Sequence, residues 1–169
     1  ETLAGMKTVF KKDGTVTAAN ASGINDGAAA VVLATGEVVA EKGLKPLARI
    51  VAWGHAGVPP EIMGIGPVKA VPIALERAGL TLADMDVIEA NEAFAAQALA
   101  VAKELGFDRE KLNPNGSGIA LGHPVGATGT ILTVKAAYEL KRIGGRYGLV
   151  TMCIGGGQGI ALIIENVEG

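Results

Sequence analysis

The last stretch of the chain constrains the fold most. Gly148 to Ile154 and Gly159 to Glu165 are two strongly apolar runs joined by Gly155-Gly156-Gly157-Gln158, the pattern of a β-hairpin. Strands that are apolar on both faces have no side to offer to water, so the sheet that holds them must be buried between layers of helix. The remaining chain supplies those layers. Asn25-Asp26-Gly27 reads as the entry to a helix over Ala28 to Leu33, and Ala48 to Trp53 reads as a compact apolar strand. Val68 to Ala78 is a predicted helix stopped by Gly79. Thr81 to Asp84 has the form of a capping box, and Asp86 to Ala90 is a short strand that leads through Asn91 into an Ala-rich helix closed by Gly106. Leu112 to Ala120 is predicted to be extended, and Ala127 to Ile143 to be an amphipathic helix ending at Gly144-Gly145. At the start, Thr15 to Ala18 reads as a short strand. Strands alternating with helices give an α/β fold with a mixed sheet and one antiparallel hairpin.

Composition narrows the function. The 169 residues carry 15 Lys plus Arg and 17 Asp plus Glu, a net charge of −2, which excludes binding of a polyanion through bulk charge but leaves room for a local phosphate pocket. Aromatics are only 4% against 49% hydrophobic residues, so the core is built from small aliphatic side chains. The 25 glycines show no triplet period and accompany only 7 prolines, which excludes collagen and low-complexity linkers. A single Cys excludes an internal disulfide. The opening residues ETLAGMKTVFKKDGT lack an initiator Met and the features of a signal peptide, and read as a cut in a longer chain. The richest apolar run, Ala28 to Ala34, is far shorter than the roughly 18 to 20 residues of a membrane span, so a soluble protein is expected.

Three loops at element ends concentrate reactive or hydrogen-bonding groups, where binding groups are commonly placed. His123 sits among Gly116, Gly118, Gly122, Gly126 and Gly129; it is either a surface residue or an imidazole presented as a general base where a ligand approaches the backbone closely. Cys153 ends an apolar strand before three glycines. It is either an inert buried thiol or a proton-transfer group beside backbone N–H donors, that of Gly155 among them, able to hold an oxyanion. A nucleotide cradle is excluded there because a strand, not a helix, follows the glycines. Asn91 either caps the next helix or holds a water or substrate oxygen, whereas Glu92 reads as a first-turn acid. His55 is read as structural, and Met63 and Phe94 as packing residues or as the lining of an acyl channel.

The three loops in this order, with Asn20-Ala21-Ser22-Gly23-Ile24-Asn25-Asp26-Gly27 upstream, resemble the thiolase family: Asn91-Glu92-Ala93-Phe94, Asn115-Gly116 through Gly122-His123-Pro124 to Gly129, and Cys153 to Gly159. The resemblance covers nearly the whole chain. It implies a layered αβα half with a mixed five-stranded sheet, one half of a five-layered fold. Residues 1–23 then correspond to the tail of a loop domain, 24–45 to the last helix and strand of an N-terminal domain, and 46–169 to a C-terminal domain. The activity implied is the interconversion of two acyl-CoA molecules with a 3-ketoacyl-CoA and CoA. His123 would activate a nucleophilic cysteine lying in a missing N-terminal half, and Cys153 would move the α-proton. Asn91 with His123, and the Gly155 N–H, would each serve an oxyanion hole, while Ser22, Ala18, Met63 and Phe94 would contact the coenzyme A arm. CoA thioesters would be substrates, with no cofactor and no metal. Nucleic acid and membrane partners are not expected, the complete protein would be a cytoplasmic homodimer or homotetramer, and the 169 residues alone would be inactive. Asn113-Pro114-Asn115-Gly116-Ser117-Gly118 departs mildly from the commoner Gly-Gly-Ala form of this loop. A non-catalytic CoA-binding or structural domain that keeps the same motifs is the alternative.

Overall fold

The computed structural model describes residues 1–167. In chain order the elements are α1 (Gly36–Lys42), β1 (Ala48–Gly57), a 3₁₀ turn (Pro60–Ile65), α2 (Gly66–Ala78), a second 3₁₀ turn (Leu82–Asp84), β2 (Val87–Ala90), α3 (Ala95–Leu105), a single helical turn α4 (Gly118–Leu121), α5 (Thr128–Ile143), β3 (Tyr147–Ile154) and β4 (Gln158–Asn166). The strands form one mixed sheet in the order β1-β4-β3-β2, with β2 parallel to β3 and the other two pairings antiparallel.

The hairpin is buried on both sides, as its composition requires. Leu149 and Ile163 join Ala70, Val71 and Ala74 of α2 in one core, while Val150 and Ile164 join Leu132, Ala136 and Leu140 of α5 in another. Neighbouring residues of a strand point to opposite faces, so each strand feeds both cores. Four of the helix ends follow the glycine punctuation: Gly43, Gly79, Gly106 and Gly144 all take left-handed conformations just past a helix. The capping box at Thr81 and Asp84 forms, with Asp84 accepting from both the backbone N–H and the hydroxyl of Thr81 at 2.8 Å. No helix among the described residues is long and apolar enough to cross a membrane.

Several expectations change, among them that Leu112 to Ala120 is extended throughout, since Gly118–Leu121 forms a helical turn. Among the described residues the sheet has four strands, not five. The place beside β2 is taken by a single bridge, in which Lys111 O accepts from Ile88 N at 2.8 Å and Asn113 N donates to Ile88 O at 2.7 Å. Asn113 then turns into a left-handed conformation (φ 48°) before Pro114, and its side-chain amide continues the pairing in place of backbone: Oδ1 accepts from Ala90 N and Nδ2 donates to Ala90 O, both at 2.8 Å. Ala28 to Leu33 is neither helix nor strand, with Val32 and Leu33 exposed. Alanine content suggested a helix, but an apolar run becomes regular only against a surface that buries it, and α1 starts later, where the Thr35 hydroxyl accepts from Val38 N. It is the sole regular element within 24–45. Thr15 to Ala18 contributes one bridge, Thr8 to Thr17, instead of a strand.

Candidate active site

Because β2 and β3 are parallel, their carboxyl ends lie at one edge of the sheet. Ala90 is paired with Thr151, so Asn91, just past β2, and Cys153, near the end of β3 and paired with Gly159, lie on neighbouring strands, and Asn91 N donates to Thr151 O at 3.0 Å. Ligands of α/β sheets bind at such an edge. Asn91 is 2% exposed and does not cap a helix, since α3 begins only at Ala95. Its Nδ2 lies 3.3 Å from His123 Nε2, and its Oδ1 has no hydrogen-bond partner among the described residues. A buried amide oxygen left without a donor costs free energy unless something from outside the protein supplies one.

His123 is brought to Asn91 by the loop after α4. Its backbone N donates to Asn25 Oδ1 at 3.1 Å, and its Nδ1 lies 2.7 Å from the Thr128 hydroxyl at the start of α5. Burial lowers its pKa and keeps the ring neutral near neutrality. The Cys153 thiol is buried, and desolvation pushes its pKa up, so it rests as the protonated thiol. The site therefore holds a neutral imidazole and a protonated thiol: one group able to take a proton and one able to give it.

The turn after Cys153 is fixed by close backbone approach. A Cβ on Gly159 would fall 2.1 Å from the carbonyl carbon of Gly66 at the head of α2. Gly157, at φ 91°, accepts from Val58 N at 2.8 Å, and a Cβ there would meet Val58 O at 2.2 Å. Gly155 is exposed at the front of this turn.

The remaining expected residues divide. Ser22 is stitched to the Asn91 loop, its N and Oγ donating to Ala93 O at 2.9 and 3.0 Å. Phe94 is half-buried and meets Phe10 edge-to-face with ring centroids 5.8 Å apart. Ala18 is exposed in the turn before Asn20, and Met63 is half-buried in the first 3₁₀ turn; neither is hydrogen-bonded into the Asn91–His123 cluster. Glu92 is not in a helix and accepts from Asn113 Nδ2 at 3.4 Å. His55 is exposed on β1.

Sequence reasoning missed the supports. Asn25, Asn113, Ser117 and Thr128 hold the loops, with Ser117 Oγ donating to Ala90 O at 3.0 Å. Lys135 joins the fully buried Glu89 (2.8 Å) to the carbonyl of Gly116. Desolvation raises the Glu89 pKa against the opposing pull of that ammonium. The only advance signal was polar side chains inside otherwise apolar or Gly-rich stretches.

The comparisons agree with this architecture. The family model described as the thiolase C-terminal domain matches residues 44–166, and that of the thiolase N-terminal domain matches residues 1–37. A beta-ketothiolase of Cupriavidus necator is 67% identical over 96% of this chain and 41% of its own length. A 3-oxoadipyl-CoA/3-oxo-5,6-dehydrosuberyl-CoA thiolase of Escherichia coli is 58% identical over 99% of this chain and 42% of its own. The structure of human mitochondrial 3-ketoacyl-CoA thiolase in complex with CoA superposes with a TM-score of 0.96 at 54% identity, over 98% of this chain and 42% of that one. The Bacillus anthracis acetyl-CoA acetyltransferase gives 0.96 at 57%. The chain thus spans about two fifths of the length of these relatives. With a family model over most of its length and the whole fold shared, the chain belongs to the thiolase family.

Proposed function

We propose that this chain is the C-terminal part of an acyl-CoA C-acyltransferase that interconverts a 3-ketoacyl-CoA plus CoA with two acyl-CoA molecules. The observation that carries the reading is the Asn91–His123 contact at the carboxyl end of β2, with Asn91 hydrogen-bonded to Thr151 on the adjacent parallel strand that carries the buried Cys153 thiol. Residues 1–23 belong to a loop domain, 24–45 to the end of an N-terminal domain and 46–169 to a C-terminal domain. The reaction needs two thiols and the chain has one, so the acyl-accepting cysteine comes from outside these 169 residues and the chain alone does not turn over.

In thiolysis, His123 Nε2 takes the proton of that cysteine, whose thiolate adds to the 3-keto carbon. The Gly155 N–H contributes to the hole that holds the resulting oxyanion. As the bond between the α and β carbons breaks, the Cys153 thiol gives its proton to the departing enolate. Cys153, now a thiolate, takes the thiol proton of the incoming CoA, whose sulfur attacks the acyl-enzyme. The released cysteine recovers its proton from His123, so atoms and charges return to the start. The His123 N–H and a water held by the Asn91 amide bind the thioester oxygen as the enolate forms. Ser22, Ala18, Met63 and Phe94 line the path of the coenzyme A arm, with CoA thioesters as substrates and no further cofactor.

The test reunites the chain with the rest of its polypeptide and follows thiolysis of acetoacetyl-CoA against pH. The acidic limb is expected below the ordinary imidazole value and the alkaline limb above that of an ordinary thiol, because burial lowers one pKa and raises the other. Undiminished turnover by His123→Ala would refute the assignment of the base.

A further inference from the structure

The hydrogen bonds around the His123 ring carry more than its position. Asn91 presents Nδ2 to His123 Nε2 at 3.3 Å, and an amide nitrogen has only hydrogens to give. Nε2 must therefore present its lone pair, and in a neutral ring the single proton then sits on Nδ1. On that side the Thr128 hydroxyl lies 2.7 Å away, and the same hydroxyl reaches Pro124 O at 2.9 Å. A hydroxyl has one hydrogen and two lone pairs; with its hydrogen on the Pro124 carbonyl, it is free to accept from Nδ1–H. The four groups close into one directed chain: Asn91 N–H to Nε2, Nδ1–H to Thr128 Oγ1, and Thr128 O–H to Pro124 O. Thr128 is buried at the first residue of α5, where packing restricts its side chain and the hydroxyl is held in place.

We propose that Thr128 is a positioning residue that fixes the proton of neutral His123 on Nδ1, leaving Nε2 unprotonated where it meets the Asn91 amide. The consequence for turnover rests on the function proposed above, where Nε2 has to accept a proton first and donate it to an oxyanion afterwards. The opposite tautomer places a hydrogen on Nε2 at rest and leaves it unable to begin. In water a histidine side chain favours the proton on Nε2, so the observed arrangement requires this support.

The test reads the ring directly, without substrate and therefore independently of any catalytic reading. The chain has only 2 histidines, so ring-labelled protein gives two sets of imidazole nitrogen resonances, and His55→Gln assigns them. In the 169-residue chain at a pH where the ring is neutral, His123 is expected in the Nδ1–H form. Thr128→Val, which keeps the shape and removes the hydroxyl, is expected to shift the tautomer ratio toward Nε2–H by about tenfold, the weight of one hydrogen bond. Thr128→Ser is expected to retain the unsubstituted pattern. An Nε2–H ring in the unsubstituted chain, or an unchanged ratio in a folded Thr128→Val variant, overturns the proposal. If the valine variant fails to fold, the unsubstituted and serine chains still decide it, since either one showing Nε2–H refutes it.

Discussion

The two sides of the site do the same mechanical task by different means. On the Asn91–His123 side, loops are tied by side-chain hydrogen bonds: Asn113 and Ser117 to Ala90, Asn25 to His123 N, and Lys135 to Gly116. On the Cys153 side the turn is held by absence of side chains, with Gly157 and Gly159 pressed against the backbone of Val58 and Gly66. Hydrogen bonds set direction, which an imidazole and an amide need. Close packing sets place, which suffices for a thiol and a row of N–H groups. The first kind of support fails by degrees as bonds are lost, each worth about 1 kcal/mol net and more if a buried partner is orphaned. The second fails abruptly, because backbone atoms on both sides cannot give way.

The largest expected effect is on chemistry. Cys153→Ala in the reconstituted enzyme should lower thiolysis by roughly 100- to 10,000-fold, the usual contribution of a general acid or base. Steady-state assays would check it, and a smaller loss would mean that the packed turn presents no working thiol. Gly159→Ala tests the turn itself: a Cβ 2.1 Å from Gly66 should cost about 3 kcal/mol or more, read as a lower urea midpoint. Tolerance of that alanine would remove the contrast between the two sides.

On the hydrogen-bonded side, Asn113→Ala leaves Ala90 N without a partner and puts alanine at φ 48°. A loss of about 2 to 3 kcal/mol is expected, with the Asn91 and His123 amides exchanging hydrogen faster than those of the hairpin. The smallest effect concerns Glu139, which binds Arg142 and Asn115 and so braces the same loop. The Arg142 guanidinium, aided by Asn115, lowers its pKa from 4.5 to about 2. A depressed carboxyl contributes stability that is present above its unfolded value and lost as pH falls through the folded one. Between pH 4.5 and about 2, the unsubstituted chain should therefore lose about 1 kcal/mol more stability than Glu139→Gln. Parallel acid titrations of the two would show whether it does.

Much of this was legible in the chain. Strands and helices whose apolar pattern and terminal glycines agreed, such as α2, α5 and the hairpin, form where expected, because local propensity and burial favour the same state. The Ala28 to Leu33 run was misread for the opposite reason, composition favouring a helix where the described residues offer no surface to bury it. Asn91 read equally well as a helix cap and as a site residue, since both need an amide at a strand-to-helix junction; only its burial and its contact with His123, 32 positions away, separate them.

By itself the sequence determined the layered α/β plan, the doubly buried hairpin and the three loops that bear His123, Asn91 and Cys153, because periodicity and glycine placement act over a few residues. Tertiary structure alone decided that β2 has a side chain for its outer neighbour, that Asn25 holds the backbone and Thr128 the ring of His123, and which ring nitrogen faces Asn91. Those outcomes depend on hydrogen bonds between groups far apart in the chain, or on which of several possible partners a short polar side chain meets, and no local pattern records that choice.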